Sequence, residues 1–159
     1  MKLYINQKLF SLGQNFDVLD EYGESKYHVR GELFSFGRKL HVLDCNECEV
    51  AFVQQRMMTF LPKFDVFVGD SHVATIEKEI SFIRASYKIS ESSVRVVGDL
   101  FHYDYDILDD GQPVAHIHKK LMSWGDSFEL DCEEGSDVLL SLAIVLAIDT
   151  CMDADQYRR

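Results

Sequence analysis

The sequence lacks most of the features that would assign it to a common class of protein. It has two prolines and four cysteines in 159 residues, and its 16 Lys and Arg face 27 Asp and Glu, for a net charge of −11. A pI near 4.8 disfavours nonspecific binding to nucleic acid or an anionic membrane, because the long-range field repels polyanions. Gly-x-Ser-x-Gly, P-loop and Rossmann patterns are absent from the sequence, so we expect no enzyme of those classes.

The start of the chain lacks the apolar segment of a signal peptide, and we therefore expect a cytoplasmic protein with reduced thiols. Cys45 and Cys48 form a Cys-x-x-Cys pattern in a predicted turn. No second pair and no nearby histidine completes a set of four zinc ligands, so we interpret both as turn residues and expect no cofactor.

Internal repeats are the most informative feature that is present. A short pattern recurs six times, with spacings of 24, 24, 22, 21 and 21 residues between equivalent positions. These positions are Ser11, Ser35, Thr59, Ser81, His102 and Ser123. Such periodicity indicates copies of one supersecondary unit, and a unit of this length holds two strands.

Each unit has the pattern of a strand, a turn and a second strand. Alternating apolar residues flank Asp, Asn and Gly turns, which is typical of β-hairpins. The predicted hairpins cover residues 16–29, 40–53, 64–76, 87–97 and 103–117. In the last of these we predict a three-residue loop, 110–112, which aligns Tyr105 with Ile117, Asp106 with His116 and Asp104 with His118.

The C-terminal segment predicts a buried helix. Ser136 and Asp137 can cap it, and ten of the eleven residues 138–148 are apolar on every face. A run of that length spans only about 16 Å, too short for a bilayer core of about 30 Å. Twelve strands leave a lumen that needs filling. We therefore predict one mainly β domain, residues 1–159: a closed twelve-stranded antiparallel barrel of six hairpin units, about 1–134, around a central helix, about 136–152.

The sequence also resembles the LURP-one-related family of the tubby-like superfamily, from Gln7-Lys8-Leu9-Phe10-Ser11 to the apolar terminal segment ending at Asp149. Its most specific stretch is Lys119-Lys120-Leu121-Met122-Ser123-Trp124-Gly125-Asp126-Ser127-Phe128. The resemblance implies a twelve-stranded barrel around a hydrophobic C-terminal helix, a fold shared with phospholipid scramblases. Tubby proteins bind membrane phosphoinositides through basic strand residues, so the resemblance also suggests a peripheral lipid-binding role.

Basic residues at equivalent repeat positions are candidates for binding an anion or a lipid headgroup. Four of the six residues that lie three before each repeat position are basic. We favour the simpler explanation that these long charged side chains protect strand edges. The candidates are Lys8, Arg56, Lys63, Lys78, Arg84, Lys119 and Lys120.

Asp104, Asp106, His116 and His118 are predicted to share one face of the fifth hairpin. Two cross-strand Asp–His pairs could bind a metal or transfer a proton. Ordinary charge pairs on a solvated face explain them without a metal, and no nucleophile accompanies them. Elsewhere, Met57 and Met58 are expected to pack in the core or between repeat units, and Asp149 to meet solvent or backbone at the end of the apolar run.

These features predict a non-enzymatic cytoplasmic binding or scaffold protein with an unidentified protein partner. A peripheral phosphoinositide- or phospholipid-binding protein is the first alternative, and a metal-dependent enzyme that uses the Asp/His face is the second. We expect no nucleic-acid partner and no transmembrane segment.

Overall fold

The computed structural model describes residues 1–6, 15–32, 36–79, 86–122 and 125–156. Within these residues, twelve β-strands precede a C-terminal helix. The strands are β1 (Lys2–Asn6), β2 (Phe16–Asp20), β3 (Ser25–Glu32), β4 (Lys39–Leu43), β5 (Glu49–Gln55), β6 (Lys63–Val68), β7 (Ser71–Glu79), β8 (Ser86–Ser90), β9 (Val94–Asp99), β10 (Asp104–Asp109), β11 (Gln112–Met122) and β12 (Gly125–Cys132), and the helix is α1 (Val138–Gln156).

The strands form one antiparallel sheet that curls into a nearly closed barrel. The order in the sheet is β8-β7-β6-β5-β4-β3-β2-β1-β12-β11-β10-β9, so the first strand, β1, pairs with the last strand, β12. α1 contacts β5, β6 and β7 as well as β11 and β12. The predicted mainly β fold of twelve antiparallel strands with a C-terminal helix is therefore confirmed.

The connections place two kinds of surface at opposite ends of the barrel. The tight turns after β2, β4, β6, β8 and β10 lie at one end, which we call the turn end. The connections after β3, β5 and β9 lie at the other, the loop end. α1 starts at the turn end, and its 19 residues extend for about 28 Å, so it finishes at the loop end.

Four hairpins share a register shift next to their turns. The shift follows Val18 in β2, Val42 in β4, Val66 in β6 and Ile107 in β10. Such β-bulges bend strands and increase their twist, which helps a sheet to close. The recurrence of the bulge supports the interpretation of the chain as repeats.

The bulge also corrects the predicted loop of the fifth hairpin. Asp109 pairs with Gln112, so the turn has two residues, Asp110 and Gly111, both with positive φ. This geometry is typical of the type I′ turn of hairpins. The bulge beyond the turn restores the predicted pairing of Tyr105 with Ile117, so the register was right although the loop length was wrong.

The fourth predicted hairpin is wrong in one respect. β8 and β9 both form, but β8 pairs with β7 and β9 pairs with β10, and no ladder joins β8 to β9 in the described residues 86–99. Ser93, after the turn, accepts a hydrogen bond from Asp110 N at 3.3 Å, which holds the start of β9 to the β10 side. The barrel therefore has a seam between β8 and β9 and is not fully closed.

The helix is enclosed by the sheet along most of its length. Asp137 caps its start, accepting a hydrogen bond from Leu140 N at 2.9 Å, as the sequence suggested. Every residue from Ser141 to Asp149 is buried. α1 continues to Gln156, beyond the predicted end, and carries Asp149, Asp153 and Asp155 to the loop end. Within the described residues, no helix combines the length and apolar character that crossing a bilayer requires.

Gly98 in β9 has no room for a side chain, and we expect Gly98→Ala to destabilise the fold. Its φ is +133°, and an added Cβ would lie 2.5 Å from Asp104 O and 2.7 Å from Tyr105 Cα. Both neighbours are backbone atoms that cannot rotate away, so we expect a loss of about 2–4 kcal/mol in the free energy of unfolding, measured by urea denaturation.

Gly111→Ala is the matched control. Gly111 also has positive φ, +79°, but an added Cβ would meet no atom within 4 Å. Its cost should be limited to the conformational term, about 1 kcal/mol. Equal losses for the two variants would contradict the close approach at Gly98.

Candidate binding surface

Apolar side chains are exposed on two neighbouring loops at the loop end. Phe36 lies between β3 and β4, and Met57, Met58 and Phe60 lie between β5 and β6. Phe36 is 89% exposed, Phe60 is 87% exposed and Met58 is fully exposed. The Cβ position of Gly37 is 2.7 Å from Met57 Sδ, so the two loops are in contact. We call Phe36, Met57, Met58 and Phe60 the loop-end patch.

Met58 corrects the expectation that both methionines pack in the core or between repeat units, whereas Met57 lies where the loops of two units meet. Met58 has φ +58°, and it lies in a turn closed by Thr59 Oγ1, which donates to Arg56 O at 3.2 Å. The turn reverses the chain between β5 and β6 and directs both methionines away from the barrel. The apolar character of a methionine predicts that it is buried when it lies in a strand. It does not predict that these two methionines lie in a turn.

Arg56 braces the loop that carries the patch. Its Nε donates to Asp65 Oδ2 at 3.0 Å, and its N donates to Lys63 O at 2.8 Å. Thr75 Oγ1 also donates to Asp65, at 2.9 Å. Burial opposes ionisation of Asp65, but the hydrogen bonds from Arg56 and Thr75 outweigh it and lower the pKa of the carboxyl. The apolar side chains are thus presented on a supported loop.

Three carboxylates of α1 meet partners from the strands and loops at the same end. Asp153 forms an ion pair with Arg38, and Asp155 lies 2.5 Å from Lys78 Nζ. Tyr87 OH also donates to Asp155, at 3.3 Å. These contacts attach the end of the helix to β7, β8 and the β3–β4 connection.

Asp149 differs from the other two because it accepts its hydrogen bond from a neutral group. It is buried and accepts a hydrogen bond from Tyr103 OH. Burial raises the pKa of Asp149 from 3.8 to about 7, although the bond from Tyr103 opposes the shift. The Tyr103 ring stacks on Phe128 with 4.0 Å between centroids, which fixes the hydroxyl above the helix.

The structure assigns most of the predicted anion-binding cations to internal ion pairs. Arg56 pairs with Asp65, Lys63 with Glu77 at 2.5 Å, Lys78 with Asp155 and Lys120 with Glu129. Lys119 is the exception among the described candidates: its Nζ lies over the Tyr103 ring, 5.9 Å from the centroid. Lys8 and Arg84 lie outside the described residues. Four of the five described candidates thus already have carboxylate partners.

Glu129 is the centre of a charged cluster on the outer face of β12. Its side chain is 1% exposed and contacts Lys120 and, at 2.7 Å, Lys2 Nζ. Burial opposes its ionisation, but hydrogen bonds from Lys120, Lys2 and Tyr4 lower its pKa to about 2. The cluster joins β1, β11 and β12, where the N-terminal strand completes the sheet.

The Asp/His face of the fifth hairpin is only partly as predicted. Asp106 lies 2.8 Å from His116 Nδ1, which confirms that pair. Asp104 contacts the other nitrogen of His116, at 3.4 Å, and His118 faces Glu129 at 3.7 Å, so the predicted Asp104–His118 pair is wrong. The reason is that His118 lies opposite Glu129 in the β11–β12 ladder.

The contacts on this face are ion pairs between neighbouring side chains. Both ring nitrogens of His116 face carboxylate oxygens of the hairpin. Among the described residues, no group of three or more His, Cys, Asp or Glu side chains is arranged so that it could hold a metal ion. Cys45 and Cys48 are exposed free thiols in the turn that the sequence predicted.

The comparisons with known proteins agree with this architecture. A family model described as LURP-one-related matches residues 1–149. The chain belongs to the LURP-one-related family.

This LURP-one-related protein is 28% identical to the uncharacterized protein YxjI of Bacillus subtilis over 156 residues, which cover 98% of this chain and 96% of that protein. Its fold is similar to the X-ray structure of a protein from Arabidopsis thaliana, with a TM-score of 0.67 and 18% identity. That likeness covers 99% of this chain and 91% of the Arabidopsis chain.

Sequence reasoning did not identify the loop-end patch of this LURP-one-related protein. Phe36, Met57, Met58 and Phe60 all lie close to the repeat positions Ser35 and Thr59, where the pattern passes from one unit to the next. The sequence did contain one signal for such a surface, namely apolar residues in connections between strands that are too long to be tight turns. Their exposure depends on the direction of the loops, which the pattern does not contain.

Proposed function

We propose that this LURP-one-related protein is a non-enzymatic cytoplasmic binding or scaffold protein that contacts a protein partner through the loop-end patch. The observation that carries the proposal is the exposure of Phe36, Met58 and Phe60 on two loops in contact. Contiguous exposed apolar side chains mark interaction sites, and aromatic and methionine side chains are enriched at protein interfaces.

Two further features support binding at the surface. α1 fills the space inside the sheet, with every residue from Ser141 to Asp149 buried, which disfavours a ligand carried inside the barrel. The Arg56–Asp65 contact holds the patch loop in place, and preorganisation reduces the entropy cost of binding. Neither the family description nor the name of the Bacillus relative indicates an enzymatic activity.

A phospholipid surface is the second candidate partner. It is favoured by the exposed patch together with Lys119, whose ammonium contacts an aromatic ring at the loop end. It is disfavoured by the ion pairs that neutralise Arg56, Lys63 and Lys78, because headgroup binding requires accessible positive charge. We therefore prefer the protein partner.

The test uses the double variant Phe36→Ser/Met58→Ser. Affinity-tagged wild-type protein and variant are compared by quantitative mass spectrometry of proteins captured from the native host. Removal of two apolar anchors should reduce capture of the specific partner at least tenfold, since each buried anchor contributes over 1 kcal/mol. Tyr22→Ser is the matched control, because Tyr22 is an exposed aromatic residue in a tight turn at the opposite end.

Vesicle flotation separates the two candidate partners. Phosphatidylcholine vesicles with and without phosphoinositide are mixed with wild-type protein at low salt. If the partner is a protein, we expect that the wild type does not float with either kind of vesicle. We also expect that the partner is captured by the wild type and by Tyr22→Ser but not by Phe36→Ser/Met58→Ser. If the wild type floats with the vesicles and Phe36→Ser/Met58→Ser does not, the partner of the patch is a lipid surface and not a protein. If Phe36→Ser/Met58→Ser captures the partner as well as the wild type does, the patch is not the binding site.

A further inference from the structure

Within the described part of the chain, the seam between β8 and β9 leaves two strand edges without a ladder. β8 and β9 follow each other in the chain, yet β8 is paired through β7 and β9 through β10. Natural sheets usually protect their edges, because unpaired main-chain groups can bind another strand. This seam is separate from the loop-end patch.

The hydrogen-bond alternation identifies which groups of β9 face the seam. Asp110 N donates to Ser93 O, so Ser93 and Asp110 form a hydrogen-bonded pair next to the β9–β10 ladder. Hydrogen-bonded and non-hydrogen-bonded pairs alternate along an antiparallel ladder. The main-chain groups of Arg95 and Val97 therefore point to β10, and those of Val96 and Gly98 point to the seam.

The side chains on the outer face of β9 indicate which residues a neighbouring strand would place against it. Val94 is buried and Val96 is half-buried, whereas Arg95 is exposed and Val97 is 60% exposed. Among the described residues, no carboxylate lies within salt-bridge distance of the Arg95 guanidinium. A neighbouring strand would thus place an apolar residue opposite Val97 and an acidic residue opposite Arg95, two positions apart.

We propose that the β9 edge binds an extended segment of a partner protein by strand addition. Main-chain hydrogen bonds to Val96 and Gly98 hold the segment, and Val97 and Arg95 select a β-branched residue and a carboxylate on its outer face. An extended polypeptide is the occupant because only a regular row of amide and carbonyl groups matches a strand edge.

The probe is a fluorescein-labelled eight-residue peptide of alternating Val and Thr in which one Val is replaced by Glu. Two further peptides are N-methylated at one or the other alternating set of amides. In a paired strand, only one set of amides points to the edge. Fluorescence anisotropy should show saturable binding that one methylated peptide loses and the other retains.

Charge exchange tests the register. Arg95→Glu should weaken binding of the Glu peptide about fivefold and favour a peptide that carries Lys instead, and Val97→Asp should weaken both at least about fivefold. Lys26→Glu, an exposed cation on β3, should leave binding unchanged. Amide exchange at Val96 and Gly98, measured by NMR, should slow when the unmethylated peptide binds.

Three results would overturn the proposal. The first is absence of saturable binding at about 1 mM peptide, the weak limit of a specific contact. The second is equal binding of the two methylated peptides. The third is a wild-type dimer in sedimentation that Val97→Asp makes monomeric, because a second copy of this chain would then cover the edge.

Discussion

Replacing Asp149 with asparagine increases the free energy of unfolding above pH 7, by up to about 4 kcal/mol. Asp149 is buried, and its pKa is raised from 3.8 to about 7. Between these values the unfolded chain has released the proton and the folded chain retains it, so the stability of the wild type falls as pH rises and the penalty is complete above pH 7. Asparagine has no charge to bury, and its carbonyl oxygen can accept the hydrogen bond from Tyr103.

The measurement is urea denaturation of wild type and Asp149→Asn at several pH values from 3.5 to 8. The two proteins should be nearly equally stable below the usual pKa of the carboxyl, and the difference should widen with pH. Asp153→Asn is the matched control on the same helix. It removes the ion pair with Arg38 and should destabilise, the opposite sign. A pH-independent difference for Asp149→Asn would contradict the burial of an ionisable group at this position.

Replacing Glu129 with glutamine has the opposite effect and the opposite pH dependence. The pKa of Glu129 is lowered from 4.5 to about 2, so the folded state releases the proton more readily than the unfolded chain. This contribution to stability is present above the usual pKa and is lost as pH falls towards 2. Glu129→Gln should therefore cost about 3 kcal/mol at pH 7 and little near pH 2, since Lys2 and Lys120 lose their shared carboxylate.

Asp131→Asn is the control for Glu129→Gln, because Asp131 is a second carboxylate partner of the same ammonium group. It lies 3.3 Å from Lys2 Nζ, and its side chain is 42% exposed. Solvent screens such a pair, so we expect a loss below about 1 kcal/mol. The free energies of unfolding of both variants are compared at pH 7. If Glu129→Gln and Asp131→Asn lose the same free energy of unfolding, the burial of Glu129 does not strengthen the attachment of β1 to β12.

Most of the fold could be predicted from the repeats and from the apolar C-terminal segment. Hairpins at 16–29, 40–53 and 64–76 are readable because side chains alternate with period two and the turns contain Asp, Asn and Gly. Asp137 was readable as the helix cap. The fourth hairpin was not, because alternation predicts that two strands form and does not determine which edges hydrogen-bond.

The candidate sites were less predictable, because their properties depend on distant residues. Arg56 was a candidate for anion binding because it is basic, but in the structure it donates a hydrogen bond to Asp65, nine residues away. His118 was matched to Asp104 by register within one hairpin, and Glu129 of the next strand attracts it instead. Met58 was expected by residue type to pack in the core or between repeat units, but it lies in a turn and is fully exposed.

The sequence by itself determined twelve short strands, the positions of most turns, and a C-terminal helix too apolar to face solvent. These are properties of adjacent residues, set by side-chain alternation, turn chemistry and the need to bury apolar surface. Only the tertiary structure decided that Asp149 is desolvated, that Glu129 serves two lysines, that the seam lies between β8 and β9, and that the loop-end patch is exposed. Each of these depends on which distant groups meet when the sheet curls around the helix, and Coulomb and desolvation energies follow those distances and not the order of residues along the chain.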